Sequence, residues 1–393
     1  MKICLFIDNF TPDLGASSFR FESIVKELAD RNHEVTIIAS YPNRIKLEEF
    51  KEFKYKNVNI IRINKSDLKN NIFQRAIKYF GYFLEAIREG KRYSKDCDII
   101  IATSPQLLVG VAGAFISKIN NKIFLLDIRD LWPDIVLDMN VMKKYNPIYL
   151  FLKLLEKFMY RKSTFLVYNS PGFFKYLEKN YNVKRMELIT NGIDDYILDY
   201  FESKALNLTK KEKYKILYAG NLGIAQDIKI LIELAKYRKD IEIILIGKGS
   251  QEKEIKSKMK NVNNITLTSS VPRNELLKIY EESDILFVQL KNIKMFEKTI
   301  PSKIFEYLAS KKPIIFGLEG VARNILENEF SQQYYFESNN IEKLNKVLDK
   351  VIYDIENNSY IKPDTDKLRK KYSRKNLSIK YANLIEKVIE DDK

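Results

Sequence analysis

Short, wholly apolar segments alternate with helical patterns along this chain, twice over, and that alternation restricts its fold more than any other feature. Ile99-Ile100-Ile101 is typical. It lacks the polar alternation of a half-exposed strand, so it reads as a strand covered on both faces, as in a parallel sheet. The same reading gives strands at 2–8, 34–39, 58–63, 98–102, 122–127, 164–169 and 186–189, then at 214–219, 242–246, 265–267, 285–290 and 313–316. Between them apolar residues recur at three and four, as in Phe73, Ala76, Ile77, Phe80, Phe83, Leu84 and Ile87, which marks one helical face. Alternation of strand and helix implies an α/β fold with doubly wound parallel sheets. A chain of 393 residues exceeds one ordinary core, so two Rossmann-like domains are expected, with a cleft between them and ligands at the carboxyl ends of the strands. The Asn-Gly, acidic and lysine-rich stretch at 191–213 reads as the linker. The expected domains are 1–192 and 193–370. A closing helix within 371–393, near 374–390, follows a lysine-rich break at 367–371 and packs back toward the first domain.

Because function in such folds sits where strands end, those loops carry the argument. After the first strand, Asn9 to Arg20 contains Gly15 and small residues leading into a helix, whose free amides suit a phosphate. The second half opens with Tyr218-Ala-Gly-Asn-Leu-Gly-Ile-Ala-Gln226, and its next strand ends in Ile246-Gly-Lys-Gly-Ser250. These glycine-bearing turns, with Gly220, Gly223 and Gly247, argue together for a diphosphate cradle. Neither half supplies the GxGxxG and distant acid of a dinucleotide site. Further on, Thr299-Ile-Pro-Ser-Lys-Ile-Phe-Glu306 starts a helix at Pro301. A cation gains nothing from the dipole there, so Lys303 is expected to meet an anion beside Ser302. Glu306, one turn on, lies on the same side and suits a ribose diol.

Pro301-Ser-Lys-x-x-Glu-Tyr-Leu-Ala-x-x-Lys-Pro313 resembles the signature of family 4 retaining glycosyltransferases, and more narrowly the WbuB-type fucosaminyltransferase branch of O-antigen and capsule assembly. Asp127-Ile-Arg-Asp-Leu-Trp-Pro-Asp134, Asn191-Gly-Ile-Asp194, Tyr218 to Gly223, Glu282 to Val288 and the opening Pro-x-x-Gly-Ala-Ser-Ser-x-Arg agree with it along the whole chain. The resemblance implies a GT-B fold and a hexosyltransferase-type enzyme. Its nucleoside diphosphate sugar, UDP-linked and carrying an N-acetylated deoxy amino sugar such as FucNAc, would lodge mainly in the C-terminal domain. The acceptor, a lipid-linked glycan, would be held by the N-terminal domain. No cofactor or bound metal is implied. The leaving phosphate would help deprotonate the incoming hydroxyl, and catalysis would be electrostatic stabilisation plus positioning. Asp130, Arg129 and Lys303 are the expected catalytic residues. Donor binding falls to Gly15, Gly220, Asn221, Gly223, Gln226, Gly247, Lys248, Arg273, Lys298, Ser302, Lys303 and Glu306, and acceptor binding to Arg20 and Trp132. Trp132 either stacks on the acceptor or packs between domains. Three positions depart from the family. Lys298 stands where the first of two glutamates is usual, with Glu297 one residue out of register. Asn221 and Gln226 replace an Arg and a Lys that grip the diphosphate, so Lys303, Lys298, Arg273 or Lys248 would carry the charge. Arg129 replaces a histidine before Asp130.

The formal net charge is +15. Residues 1–190 hold 31 Lys/Arg against 21 Asp/Glu, and Met139 to Arg185 holds ten cations against Glu156 and Glu178. Such a patch suits nucleic acid, anionic lipid or a phosphorylated substrate. The aromatic, basic helices at 73–93 and 148–162 suit the inner membrane surface. No apolar run is long enough to span a bilayer, no signal sequence opens the chain, and Cys4 and Cys97 form neither a disulfide framework nor a zinc site. The expectation is a cytoplasmic protein, peripheral on the cytoplasmic face of the membrane. Asp96-Cys-Asp98 and Asp364-Thr-Asp366 match the DxD pattern of metal-dependent transferases, but neither ends a strand. The single histidine, His33, reads as structural. Alternative readings are a GT-B nucleotide-sugar 2-epimerase and a basic nucleic-acid-binding protein, the latter without a recognised module.

Overall fold

The computed structural model describes residues 1–13, 15–42, 50–64, 72–104, 106–181 and 185–392, without the side chains of 72–78. Two compact units emerge, one of Met1–Gly192 with Arg374–Lys393, the other of Ile193–Ser373.

The first unit is built on β1 (Lys2–Ile7), β2 (Glu34–Ser40), β3 (Val58–Ile63), β4 (Ile99–Thr103), β5 (Ile123–Ile128), β6 (Phe165–Tyr168) and β7 (Met186–Leu188). They pair in the order β3-β2-β1-β4-β5-β6-β7, every pair parallel. The apolar triplet of β4 is buried throughout, and each such isoleucine contributes roughly 1.5–3 kcal/mol. The second unit repeats the logic with β8 (Tyr214–Ala219), β9 (Ile241–Ile246), β10 (Ile265–Thr268), β11 (Ile285–Gln289) and β12 (Ile314–Gly317), ordered β10-β9-β8-β11-β12 and again parallel. Both sheets reverse their strand order beside the first strand, the switch point at which doubly wound folds bind ligands.

Two sequence expectations need correction, the linker at 191–213 and the lysine-rich break at 367–371. The face of helix Ile72–Tyr93 turned to the sheet is not the aromatic one. Tyr82, Ala86 and Gly90 are buried, while Phe80 and Leu84 are more than half exposed. A Cβ on Gly90 would fall 2.7 Å from the Phe6 ring, so the absent side chain lets the helix lie close there. Phe73, Ala76 and Ile77 have side chains outside the described residues. The supposed linker contains a helix, Asp195–Glu202, that buries Ile197, Leu198 and Phe201. The lysine-rich break is likewise helical, Thr365–Tyr372, with Asp364 accepting a hydrogen bond from the Lys367 amide at 2.9 Å. Asp364 is therefore a helix cap. Cys97 precedes β4, and Asp98 accepts from the Lys2 amide.

Helix Arg374–Glu390 packs on Ala16–Asp30 within the first unit. The His33 ring lies 2.9 Å from Glu386 on that closing helix, a structural contact.

Candidate functional site

In the second unit the first two glycine turns lie against each other. Gly220 N–H donates to the Ile246 carbonyl at 2.8 Å and Leu222 N–H to that of Lys248 at 2.9 Å. Gly247 has φ 149°, and a Cβ there would fall 1.8 Å from the Gly220 carbonyl oxygen. No side chain fits, so this glycine serves the close approach of two backbones. Asn221 and Gln226 face one another across the turn, amide to amide, at 3.3 Å, and a Cβ on Gly223 would crowd both. Lys248 is exposed on the second turn.

Helix Lys303–Ala309 begins beside these turns. Ser302 is its cap residue, but the hydroxyl makes no capping bond. Lys303 extends back over β8, with Nζ 3.9 Å from the centroid of the Tyr218 ring. That nitrogen has no accessible surface and, among the described residues, no hydrogen-bond partner, although the residue as a whole is half-buried. A Cβ on Gly220 would lie 2.6 Å from it, so the missing side chain is what admits the ammonium. Burial pushes the Lys303 pKa down to about 7, against the pull of Glu306.

Glu306 is occupied from the other side. Arg273 Nη2 donates to Oε1 at 2.8 Å and the Tyr280 hydroxyl to Oε2 at 3.1 Å. Arg273 also pairs with Asp194 at 3.1 Å. Burial opposes its charge, but Glu306 and Asp194 hold its pKa above the usual value. With two carboxylates already on it, Arg273 braces Glu306 rather than standing free for a phosphate. Each Glu306 oxygen keeps lone-pair capacity for further donors. Lys298 is half-buried on a short 3-10 turn, and Glu297 beside it lines a shallow depression with Leu290, Asn292, Phe296 and Leu318.

In the first unit Arg20 does not face a ligand. It is 2% exposed, and Nη2 pairs with Asp127 at 2.9 Å while Nη1 donates to the Thr190 carbonyl. Asp127 is fully buried at the end of β5. Arg129 N–H donates to Ser104 Oγ at 3.0 Å, and the buried Arg129 Nε has no hydrogen-bond partner. Burial lowers the Arg129 pKa and raises that of Asp130 to about 6, partly opposed by Arg129. Trp132 is half-buried. Gly15 caps helix Ala16–Asp30 in an extended conformation without a side-chain bond.

Helix Pro147–Lys162 is fixed by Asn146, which accepts from the Ile148 amide, and by Pro147 in its first turn. Its one acid, Glu156, is buried beside Lys153, and burial raises that carboxyl to about 7. Ile148, Phe151 and Leu154 are each more than half exposed, among the exposed cations Lys144, Lys157 and Arg161.

A model of Glycosyltransferase Family 4 matches residues 20–196, and a model of Glycosyl transferases group 1 matches residues 199–368. The chain is a family 4 type glycosyltransferase. Solved structures with its GT-B fold include sucrose-phosphate synthase from Thermosynechococcus elongatus, with TM-score 0.74, 12% identity and 99% of each chain covered. Anabaena HepE in complex with UDP and glucose gives 0.68 and 14%, covering 98% of this chain and 100% of that one. WaaG, a glycosyltransferase involved in lipopolysaccharide biosynthesis, gives 0.63 and 14%, covering 98% and 99%. At these identities the likeness is one of fold. Among curated proteins no sequence matches this chain.

For a glycosyltransferase the second unit offers an unneutralised cation, a braced carboxylate and two interlocked turns on the same sheet edge. Sequence reasoning named Arg273 for the diphosphate rather than for Glu306, and it missed Tyr280. Arg273 and Tyr280 lie seven apart on one helix, two turns on the same side, and that spacing was the available signal.

Proposed function

We propose that this glycosyltransferase moves a sugar, an N-acetylated deoxy amino sugar such as FucNAc, from a UDP-linked donor to a lipid-linked glycan of O-antigen or capsule type. Transfer proceeds with retention and without a bound metal ion or cofactor. The bond from the sugar C1 to the β-phosphate oxygen breaks, and the acceptor oxygen bonds C1 on the same face. The acceptor proton passes to the departing diphosphate. Lys303 neutralises that diphosphate, Glu306 accepts from the ribose hydroxyls, and the turns carrying Gly220, Asn221, Gly223, Gln226 and Gly247 pack around it. In the first unit Asp130, set by Arg129, orients the acceptor hydroxyl, with Trp132 beside it.

The observation that carries this reading is the Lys303 ammonium, enclosed beside a glycine turn with no hydrogen-bond partner. A buried cation in that state is costly unless an anion completes it. HepE, of the same fold, has been crystallised with UDP and glucose, which supports a uridine donor here. The test is calorimetric titration with UDP, GDP, dTDP and ADP, with and without EDTA. UDP should bind tightest and EDTA should change nothing. Lys303→Ala and Glu306→Ala should each weaken UDP at least tenfold with the fold intact, and unchanged affinity in both variants would mean the donor site lies elsewhere.

We further propose that the enzyme works on the cytoplasmic surface of the membrane, near its acceptor, a reading supported by the exposed apolar and cationic face of helix Pro147–Lys162. Each cation there adds about 1 kcal/mol toward anionic lipid. Flotation with anionic liposomes at low salt checks this. Failure to float, or flotation unaffected by a Phe151→Glu, Leu154→Glu double change, refutes it.

A further inference from the structure

Resting on the donor site just proposed, the geometry points to Tyr218 as its positioning residue: the ring face, not a carboxylate, holds the Lys303 ammonium at the Gly220 turn, and nucleotide binding draws a proton onto that nitrogen.

A lysine at a half-buried position ordinarily finds a carboxylate. Here the one acid on its own helix, Glu306, is engaged by Arg273 and by Tyr280. From the neighbouring elements, β8 presents Tyr218, and helix Arg273–Glu282 presents Arg273 and Tyr280. Arg273 is in turn held by Asp194, and Tyr307 lies on the same helix as Lys303. None of these donates or accepts a hydrogen bond at Lys303 Nζ. What the nitrogen does have is the Tyr218 ring at 3.9 Å. That contact attracts the charged form but neutralises nothing.

The ring is itself locked. Tyr218 is fully buried, and its hydroxyl donates to the Asn221 carbonyl at 2.6 Å. One side chain thus fixes both the turn and the cation aimed past it. This arrangement also accounts for Asn221 and Gln226. Neither can carry charge, and the cation is supplied from a different element and kept unpaired for the ligand.

An ammonium in a dry site without a counter-ion loses its proton easily, and burial has brought Lys303 down to about 7. A diphosphate oxygen at contact distance reverses this, because an opposite charge within ~4–6 Å favours the charged form. The proton comes from solvent. At pH 8 about nine-tenths of free Lys303 is neutral, so binding should take up about 0.9 proton, against about 0.1 at pH 6. The terminal phosphate of UDP, with a second pKa near ~6, has no proton of its own to contribute at pH 8.

The experiment is calorimetric titration of the full chain with UDP at pH 8, in buffers of different ionisation enthalpy, which yields the proton number directly. Wild type should take up about 0.9 proton. Lys303→Arg, which stays charged, should bind UDP with no uptake. Tyr218→Phe keeps the ring and should retain the uptake, with affinity within about threefold. Tyr218→Leu should lose about fivefold or more, with its thermal midpoint and circular dichroism as fold controls. Binding without uptake in wild type, or equal affinity in the Phe and Leu variants, overturns this inference and leaves the donor site standing. Should Tyr218→Leu fail to fold, the comparison of wild type with Lys303→Arg still decides. No binding of any nucleoside diphosphate to wild type overturns both.

Discussion

Replacing Lys303 by methionine should make the second unit more stable and the donor site useless. The ordinary lysine pKa of 10.5 falls to about 7 here through burial, which corresponds to a ceiling of roughly 5 kcal/mol of unfavourable charge burial. The side-chain stem is half-buried and the surroundings relax around a charge, so the realised penalty should be roughly 1–3 kcal/mol. Methionine fills similar space, and its sulfur can rest on the Tyr218 ring that the ammonium now faces, so little packing is lost. The pH dependence has a definite sign. Below pH 7 folded and unfolded chains both hold the proton, and the penalty is complete. Between 7 and 10.5 the unfolded chain holds a proton that the folded chain lacks, so wild-type stability rises with pH. The advantage of Lys303→Met should therefore be largest near pH 6 and shrink toward zero as pH approaches 10. Urea unfolding of both proteins across that range measures it, and UDP titration of the variant should show the loss of affinity. A variant no more stable at pH 6, or an advantage independent of pH, would refute the reasoning that the ammonium is buried without a partner.

Other outcomes follow from the same geometry. Asp127→Asn leaves Arg20 buried without its counter-charge, and should cost about 3–5 kcal/mol in urea unfolding of the first unit while UDP affinity stays within twofold. With Asp130 raised to about 6, kcat/KM should fall as pH drops below that value, since the ionised form is the one that accepts from the acceptor hydroxyl. Asp130→Asn should abolish that limb and lower kcat about a hundredfold or more without changing UDP affinity; an unchanged pH profile would remove Asp130 from the mechanism. Gly247→Ala drives a methyl into the Gly220 carbonyl at 1.8 Å and should lower the unfolding free energy by at least ~2 kcal/mol, read by thermal unfolding.

The sheets were legible because a strand buried on both faces must be apolar without interruption, and Ile99 to Ile101 or Ile285 to Val288 satisfies nothing else. All twelve strands fall within a residue or two of their expected ends. The misread segments share a physical cause. In Asp195–Glu202 three acids surround Ile197, Leu198 and Phe201, and in Thr365–Tyr372 the lysines outnumber the buried Leu368 and Tyr372. A helix needs only a narrow apolar stripe, so a charged composition hides it. Helix Ile72–Tyr93 carried no orientation in the sequence. Its largest apolar residues are not those that fit against Phe6, and contact distance rather than hydrophobicity chose the buried face.

At the site, sequence shows what a residue can do and structure shows what is already engaging it. Four cations stood as equal candidates for the diphosphate charge. Arg273 is held by two carboxylates, Lys248 is exposed on its turn, Lys298 sits on a separate 3-10 turn, and Lys303 alone has its nitrogen enclosed without a hydrogen bond. The same distinction separates two candidate arginines of the first unit, Arg20 and Arg129. Arg20 looked like a ligand of the acceptor because it follows a glycine-bearing loop, yet its guanidinium neutralises Asp127 in the core. Arg129 stands where the family has a histidine, and its buried Nε has no hydrogen-bond partner among the described residues. A buried donor without a partner costs about 1–3 kcal/mol, more when charged. Lys303 Nζ and Arg129 Nε are two of the buried donors without a partner among the described residues, and under the proposed donor and acceptor roles they are the positions at which substitution should separate binding from stability.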